Sequence, residues 1–166
     1  MILFWLLPLV AALHIVEEFI FPGGFRVWYQ HYRPSIAPSL TTRFLITVNS
    51  ILIVVGLIPI LIGMTPQGIA LWLTVTAVLF SNSLFHIAAL FKSQRYNPGV
   101  TTSVFLYLPL SLLGYWFFLS TRQASIGTAS VSFILGSSYQ WWSLYNHTRR
   151  SKSPRRAGQL REKRPL

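Results

Sequence analysis

Five apolar segments, each close to the length needed to cross a bilayer, constrain the fold of this chain more than any other feature. They cover approximately residues 2–21, 44–63, 68–91, 102–120 and 125–147. About 20 apolar residues in a helix span the hydrocarbon core, and a helix satisfies its own backbone polar groups there. The pattern therefore predicts an all-α, polytopic membrane protein, a bundle of about five transmembrane helices.

The composition excludes several other classes of protein. Only 10% of the 166 residues are charged, against about 25% in soluble domains. The chain has no cysteine, so it has no disulfide framework, thiolate metal ligand or cysteine nucleophile. Eight of its 14 Lys and Arg residues fall within 149–164. The net charge of +11 therefore indicates a basic tail beside a membrane, and we expect no nucleic-acid partner.

The distribution of Lys and Arg predicts the orientation of the chain. The connections 22–43 and 92–101 carry three and two basic residues, whereas the turns at 64–67 and 121–124 carry none and one. Because cytoplasmic loops are enriched in Lys and Arg, we expect the N-terminus outside and the C-terminus in the cytoplasm of a cell membrane. We divide the chain into a transmembrane domain, 1–147, and a basic, disordered tail, 148–166. The tail either contacts anionic lipid or only sets orientation, and the oligomeric state stays open.

Two adjacent carboxylates lie inside the first apolar segment. They are Glu17 and Glu18, and the chain has only one further acidic residue, Glu162. Charge within a membrane span is costly and usually marks a functional site. With the predicted orientation, polar residues of four segments share one inner-leaflet layer, roughly 5–14 Å deep by the helical rise. These are His14, Glu17, Glu18, Asn49, Asn82, His86 and Gln140.

The spacing of these residues resembles that of a metal site. Glu17 and Glu18 follow His14 by three and four residues, so the three can share a helix face. Inverted zinc-hydrolase motifs place ligands at i and i+4 and the catalytic Glu at i+3. His86 would complete a set of two His and one carboxylate, which binds Zn²⁺ or another divalent metal and leaves a position for water. The sequence predicts His14, Glu18 and His86 as metal ligands and Glu17 as the base.

These residues predict a membrane-embedded hydrolase acting on a lipid or lipid-linked substrate at the inner leaflet. The predicted catalytic residues are Glu17, Glu18, His86 and Asn82, with an Asn donating to the developing oxyanion. Two alternatives stay open. One is a hydrolase or protease without metal, in which a Glu is the base. The other is a non-enzymatic transporter, proton relay or membrane assembly subunit, because intramembrane Glu and His also carry protons.

Three short motifs together resemble a known family. They are HIVEE at 14–18, NSLFH at 82–86 and NPG at 97–99. In this order, inside apolar segments, they resemble the HXXEE family of small polytopic membrane proteins. The resemblance implies a membrane protein, in which the motif residues form the site, but it implies no substrate.

A looser resemblance is to intramembrane glutamate proteases of the prenyl-protein endopeptidase type. Only Glu17, Glu18 and His86 carry it. Pro22 stands where that family has Arg, and Asn82 stands where it has Phe. The resemblance implies a carboxylate that activates water without a metal.

Overall fold

Six helices make up the part of the chain, residues 2–151, that a computed structural model describes, and this part contains no strand. Their bounds are α1 Ile2–Phe19, α2 Phe25–Tyr32, α3 Thr42–Ile62, α4 Pro66–Ser93, α5 Val100–Ser120 and α6 Ile126–Ser151. The prediction of an all-helical protein is confirmed, and each apolar segment corresponds to one long helix.

Local sequence explains how α3 and α4 form an antiparallel pair. The Thr41 side chain accepts a hydrogen bond from the Phe44 N–H, and the Thr65 side chain accepts one from the Gly68 N–H. Each Thr therefore caps a helix start. Gly63 follows the end of α3 with φ of +74°, a conformation that glycine adopts without steric cost. Only a short turn separates the two helices.

Long apolar helices indicate a membrane protein. Four of the described helices, α1, α3, α4 and α5, are long and apolar enough to cross a bilayer. Helix α6 has 26 residues but does not reach the same apolar content. The count of five spans and the orientation of the termini therefore stay predictions.

The predicted boundary between domain and tail falls within α6. Residues 148–151 continue that helix. The rest of the predicted tail, 152–166, lies outside the residues that the structure describes.

Helix α4 forms the centre of the bundle, and α6 runs parallel to it along most of its length. Ser132 donates a hydrogen bond to the Ala70 carbonyl at 3.1 Å. One turn later, Gly136 lies directly against the backbone of Thr74. Small residues at this spacing let helix backbones approach closely.

A methyl group at Gly136 should force α4 and α6 apart. In Gly136→Ala the new Cβ would lie 2.6 Å from the Ala77 Cβ. We expect a loss of about 1–3 kcal/mol in stability, the usual cost of overpacking. Gly127→Ala is the matched control, because its nearest neighbour, the Ser125 hydroxyl, is 3.7 Å away. Thermal unfolding in detergent would compare them, and equal shifts would contradict the close contact.

Candidate functional site

Two histidines and a carboxylate meet between α1 and α4. Glu18 Oε1 lies 3.5 Å from His14 Nε2 and 3.3 Å from His86 Nε2. The three side chains are buried, at 2%, 6% and 0% exposure for His14, Glu18 and His86. One possible ligand atom from each lies within 4.8 Å of the others. The structure thus brings together the three residues for which the sequence predicts metal binding, and we call them the His–Glu–His cluster.

The orientation of His86 is fixed by the NPG segment. His86 Nδ1 donates to Asn97 Oδ1 at 2.6 Å, and the Asn97 amide donates back to the His86 carbonyl at 3.1 Å. Since the amide oxygen can only accept, the ring proton resides on Nδ1. His86 Nε2 makes no hydrogen bond among the described residues. This nitrogen faces Glu18 Oε1 at 3.3 Å.

Helix α5 orients His14 in a similar way, through a hydrogen bond at Nδ1. Its Nδ1 lies 2.8 Å from the Thr102 hydroxyl, which gives its proton to Glu17 Oε2 at 2.5 Å. Thr102 must then accept from His14 Nδ1–H, which leaves His14 Nε2 to face the cluster. The amide nitrogen of Asn82 lies 3.2 Å from that Nε2. Both imidazoles of the His–Glu–His cluster therefore direct Nε2 at one carboxylate oxygen, an arrangement that is repulsive unless a proton or a cation lies between each nitrogen and the oxygen.

The distances from Glu18 to the two histidines match those between ligands of a metal ion. Bonds of 2.0–2.1 Å in a tetrahedral zinc site place ligand atoms about 3.3 Å apart, and Glu18 Oε1 lies 3.3 and 3.5 Å from the two imidazole nitrogens. Metal-binding histidines also donate their other ring N–H to an oxygen acceptor. Both histidines do so here, to Thr102 and Asn97. The cluster could therefore hold a metal ion.

Glu17 makes a different set of contacts. Its Oε1 accepts from the Tyr96 hydroxyl at 2.7 Å and the Thr101 N–H at 3.0 Å. Its Oε2 accepts from the Thr102 N–H at 2.7 Å as well as from the Thr102 hydroxyl. The two N–H groups belong to the first turn of α5, where a carboxylate is favourable. Four hydrogen bonds occupy this carboxylate, which favours a positioning role for Glu17 over the predicted role of base.

Tyr96 is a permanent donor to this carboxylate. Burial and the hydrogen bond to Glu17 raise the pKa of Tyr96 to about 12. The phenol therefore keeps its proton at neutral pH and holds the loop before α5 against α1.

Gly99 closes the site from the loop side. Its φ is +98°, and a Cβ there would lie 2.6 Å from His86 Cε1, 2.8 Å from His14 Cε1 and 3.0 Å from Glu18 Cγ. Glycine is therefore required twice, for its backbone conformation and for the space.

Gly99→Ala should disrupt the His–Glu–His cluster. Gly24 provides a matched control, because its φ is +88° and nothing lies within 4 Å of an added Cβ. Both substitutions incur the left-handed backbone cost of about 1–2 kcal/mol, and Gly99→Ala adds an overpacking cost of about 1–3 kcal/mol. Thermal unfolding and metal titration would compare the variants. Equal destabilisation and unchanged metal binding would contradict this packing.

A cavity of about 610 Å³ leads from the His–Glu–His cluster into the bundle. Its walls come from α3 and α6 and its floor from α4. His14, Glu18 and Asn82 line one part of it. The segment from α2 to residue 40 closes one end of the cavity. A 2.5 Å hydrogen bond between Ser39 and His147 holds this segment to α6.

Two residues of the predicted polar layer do not reach the cluster. Asn49 and Gln140 line the cavity wall. The Asn49 amide donates to the Leu45 carbonyl of its own helix at 3.0 Å. They are therefore available to a molecule in the cavity and not to the histidines.

Sequence reasoning missed several residues that shape the site. Thr102 links Glu17 to His14, and a threonine in an apolar segment gave no signal. Tyr107 stacks on His14 with ring centroids 4.3 Å apart. It lines the cavity, and its buried hydroxyl has no partner within residues 2–151. Asn97 belongs to the NPG motif that carries the family resemblance, but its hydrogen bonds with His86 are seen only in the structure.

The apolar helices and the buried His–Glu–His cluster indicate a small helical membrane protein with a buried polar centre. The family model for proteins of unknown function with an HXXEE motif matches residues 5–114, and the chain belongs to this HXXEE family. The resemblance carried by the three motifs is thus confirmed. Neither the curated proteins nor the solved structures contain a significant match.

Proposed function

We propose that this protein is a membrane-embedded hydrolase that acts on a lipid or lipid-linked substrate at the inner leaflet. One observation carries the proposal. Two imidazole nitrogens face a single buried carboxylate oxygen, and that carboxylate opens onto an apolar cavity. Ionisable side chains inside a membrane span are energetically costly, and they usually mark a functional site.

The roles of the residues follow from their contacts. In the form without a metal, Glu18 accepts a proton from the attacking water, and a protonated histidine of the cluster donates one to the leaving group. Asn82 and the unpaired Tyr107 hydroxyl supply hydrogen-bond donors for the developing oxyanion. Glu17 positions His14 through Thr102.

A divalent metal such as Zn²⁺, held by His14, Glu18 and His86, would lower the pKa of the water. Without a metal, Glu18 would act as the base and a protonated histidine would assist the leaving group. A chelator distinguishes the metal-dependent hydrolase from the metal-free hydrolase, because only the metal-dependent one would lose activity.

Isotope-labelled water provides the test of hydrolysis. Vesicles of mixed membrane lipids containing the full chain or Glu18→Gln would be incubated in water enriched in heavy oxygen, and the products identified by mass spectrometry. We expect a labelled product from the unmodified chain and a rate about 10²–10⁴-fold lower from Glu18→Gln. The same products at the same rate in both samples, or no labelled product, would reject the hydrolase.

A proton relay is the second candidate function. Its supporting observation is a continuous run of close polar contacts from Glu17 through Thr102 and His14 to Glu18 and His86. Proton flux into liposomes that disappears in Glu18→Gln, without any labelled product, would select this function.

The proposal also includes five spans with the N-terminus outside. The parallel packing of α6 on α4 supports the fifth span, since a helix lying along a spanning helix shares its depth. The distribution of Lys and Arg supports the orientation. Because the chain has no cysteine, single variants can be labelled selectively. We expect an impermeant maleimide to label Gln67→Cys in intact cells and Gln94→Cys only after the membrane is opened. The opposite pattern would reverse the orientation.

A further inference from the structure

The cavity is a cleft that opens sideways. Helices α3 and α6 both pack on α4 but make few contacts with each other, so the space between them is filled only from the α4 side. Ile51 of α3 and Trp142 of α6 line this α3–α6 cleft, and both are exposed on the outer surface, at 55% and 62%. In a bilayer that surface faces hydrocarbon. The α3–α6 cleft can therefore exchange molecules with the membrane.

The α3–α6 cleft is long enough to hold part of a hydrocarbon chain. Its floor on α4 runs from Asn82, beside the His–Glu–His cluster, to Val75. The seven helical steps between these two residues correspond to about 10 Å along the helix. Between Val75 and Asn82, the side of the cleft formed by α4 consists of Val78 and Leu79. The walls are thus apolar away from the cluster and polar beside it.

A single strong cation lines this cleft. Arg33 is its only Lys or Arg within the described residues. The guanidinium carbon lies 5.3 Å from the ring centres of both Tyr32 and Phe85. Phe85 in turn has its ring centre 5.2 Å from that of His86. Arg33 therefore lies on the cluster side of the cleft.

Arg33 has no carboxylate partner in the described part of the chain, where the only ion pairs are those of Glu18. A half-buried guanidinium favours an anionic partner, and its planar set of donors matches the oxygens of a phosphate or carboxylate. Arg33 has a hydrogen bond with the Tyr29 hydroxyl, which carries no charge. A neutral lipid would leave this cation without a counter-charge, whereas an anionic headgroup would neutralise it.

We infer that the α3–α6 cleft binds an anionic membrane lipid that enters sideways from the bilayer. Its hydrocarbon chain lies against α4, its headgroup contacts Arg33, and the bond between headgroup and chain lies beside Glu18. The position of this bond beside Glu18 rests on the proposed hydrolase function. Binding of the lipid in the cleft does not depend on that function.

A pair of photoreactive probes tests the inference. One is a single-chain alkyl phosphate with a diazirine at the far end of its chain, and the other is the uncharged alcohol with the same chain. Each is added to phosphatidylcholine vesicles containing the full chain, and the crosslinked residues are mapped by mass spectrometry. We expect the phosphate to label the cleft, around Val55 and Val75, several-fold more than the alcohol does.

Two substitutions in the cleft sharpen the test. Arg33→Gln should reduce labelling by the phosphate to the level of the alcohol. Arg26→Gln is its matched control, because Arg26 bonds to the Thr42 hydroxyl and lines a neighbouring groove. Val78→Trp should block the cleft against both probes, whereas Leu112→Trp, on an exposed face of α5, should not.

The outcomes separate this inference from the proposed function. Equal labelling by the two probes, or an unchanged ratio in Arg33→Gln, would overturn it whether or not the protein hydrolyses lipid. Labelling that depends on the phosphate and persists in Glu18→Gln would support it, even where the isotope experiment finds no hydrolysis.

Discussion

His86→Ala should abolish stoichiometric binding of a divalent metal to the purified protein. His86 offers one of three possible ligand atoms, and its Nε2 has no hydrogen-bond partner within residues 2–151. Loss of an outer partner of a ligand costs about 10–100-fold in metal affinity. We expect a loss in this range for Asn97→Ala and a larger loss for His86→Ala. Titration with Co²⁺, followed by its visible absorption, would measure both.

The control for this substitution is an exposed histidine. His31 Nδ1 donates a hydrogen bond to the Val27 carbonyl of its own helix, away from the cluster. His31→Ala should therefore bind Co²⁺ as the unmodified chain does. Unchanged Co²⁺ binding by His86→Ala, or no Co²⁺ binding by the unmodified chain, would contradict the metal site. The metal-free hydrolase and the proton relay would then be the remaining functions.

The helices and the His–Glu–His cluster were predictable because both depend on local rules. The lengths of the apolar segments determine the helices, whatever packs against them. The four-residue spacing of His14 and Glu18 places them on one face of α1, and the depth of His86 along α4 places it in the same layer. Neither the spacing nor the depth of these residues depends on the tertiary structure beyond a bundle of spanning helices.

The rest of the site could not be predicted because depth does not define the direction of a side chain. Asn49 shares the depth of the cluster but faces the cavity wall. Glu17 and Glu18 are adjacent, yet one contacts the start of α5 and the other contacts the histidines. Only the path of the loop at 94–99 decides which donors reach Glu17. The α3–α6 cleft, likewise, depends on how two helices separate across α4.

Glu17→Ala should destabilise the protein more than a typical point substitution. The change removes a carboxylate that binds the first turn of α5 and leaves the Thr101 and Thr102 N–H groups without their partner. Hydrogen bonds to a charged group contribute about 1.5–3 kcal/mol each. Because water can replace some of them, we expect a total loss of about 3–5 kcal/mol. Tyr96→Phe, which removes one of these bonds, should cost about 1.5–3 kcal/mol.

Glu17→Gln distinguishes the positioning role from the predicted role of base. The amide keeps the size of the side chain, but its NH₂ group would face hydrogen-bond donors in place of one oxygen. If Glu17 holds α5 against α1, this variant should unfold at a lower temperature and exchange the Thr101 and Thr102 amide protons faster. Co²⁺ affinity should also fall by about 10–100-fold, since Thr102 would no longer orient His14. A base would behave differently: Glu17→Gln would then keep its unfolding temperature, amide protection and Co²⁺ affinity, and lose only turnover.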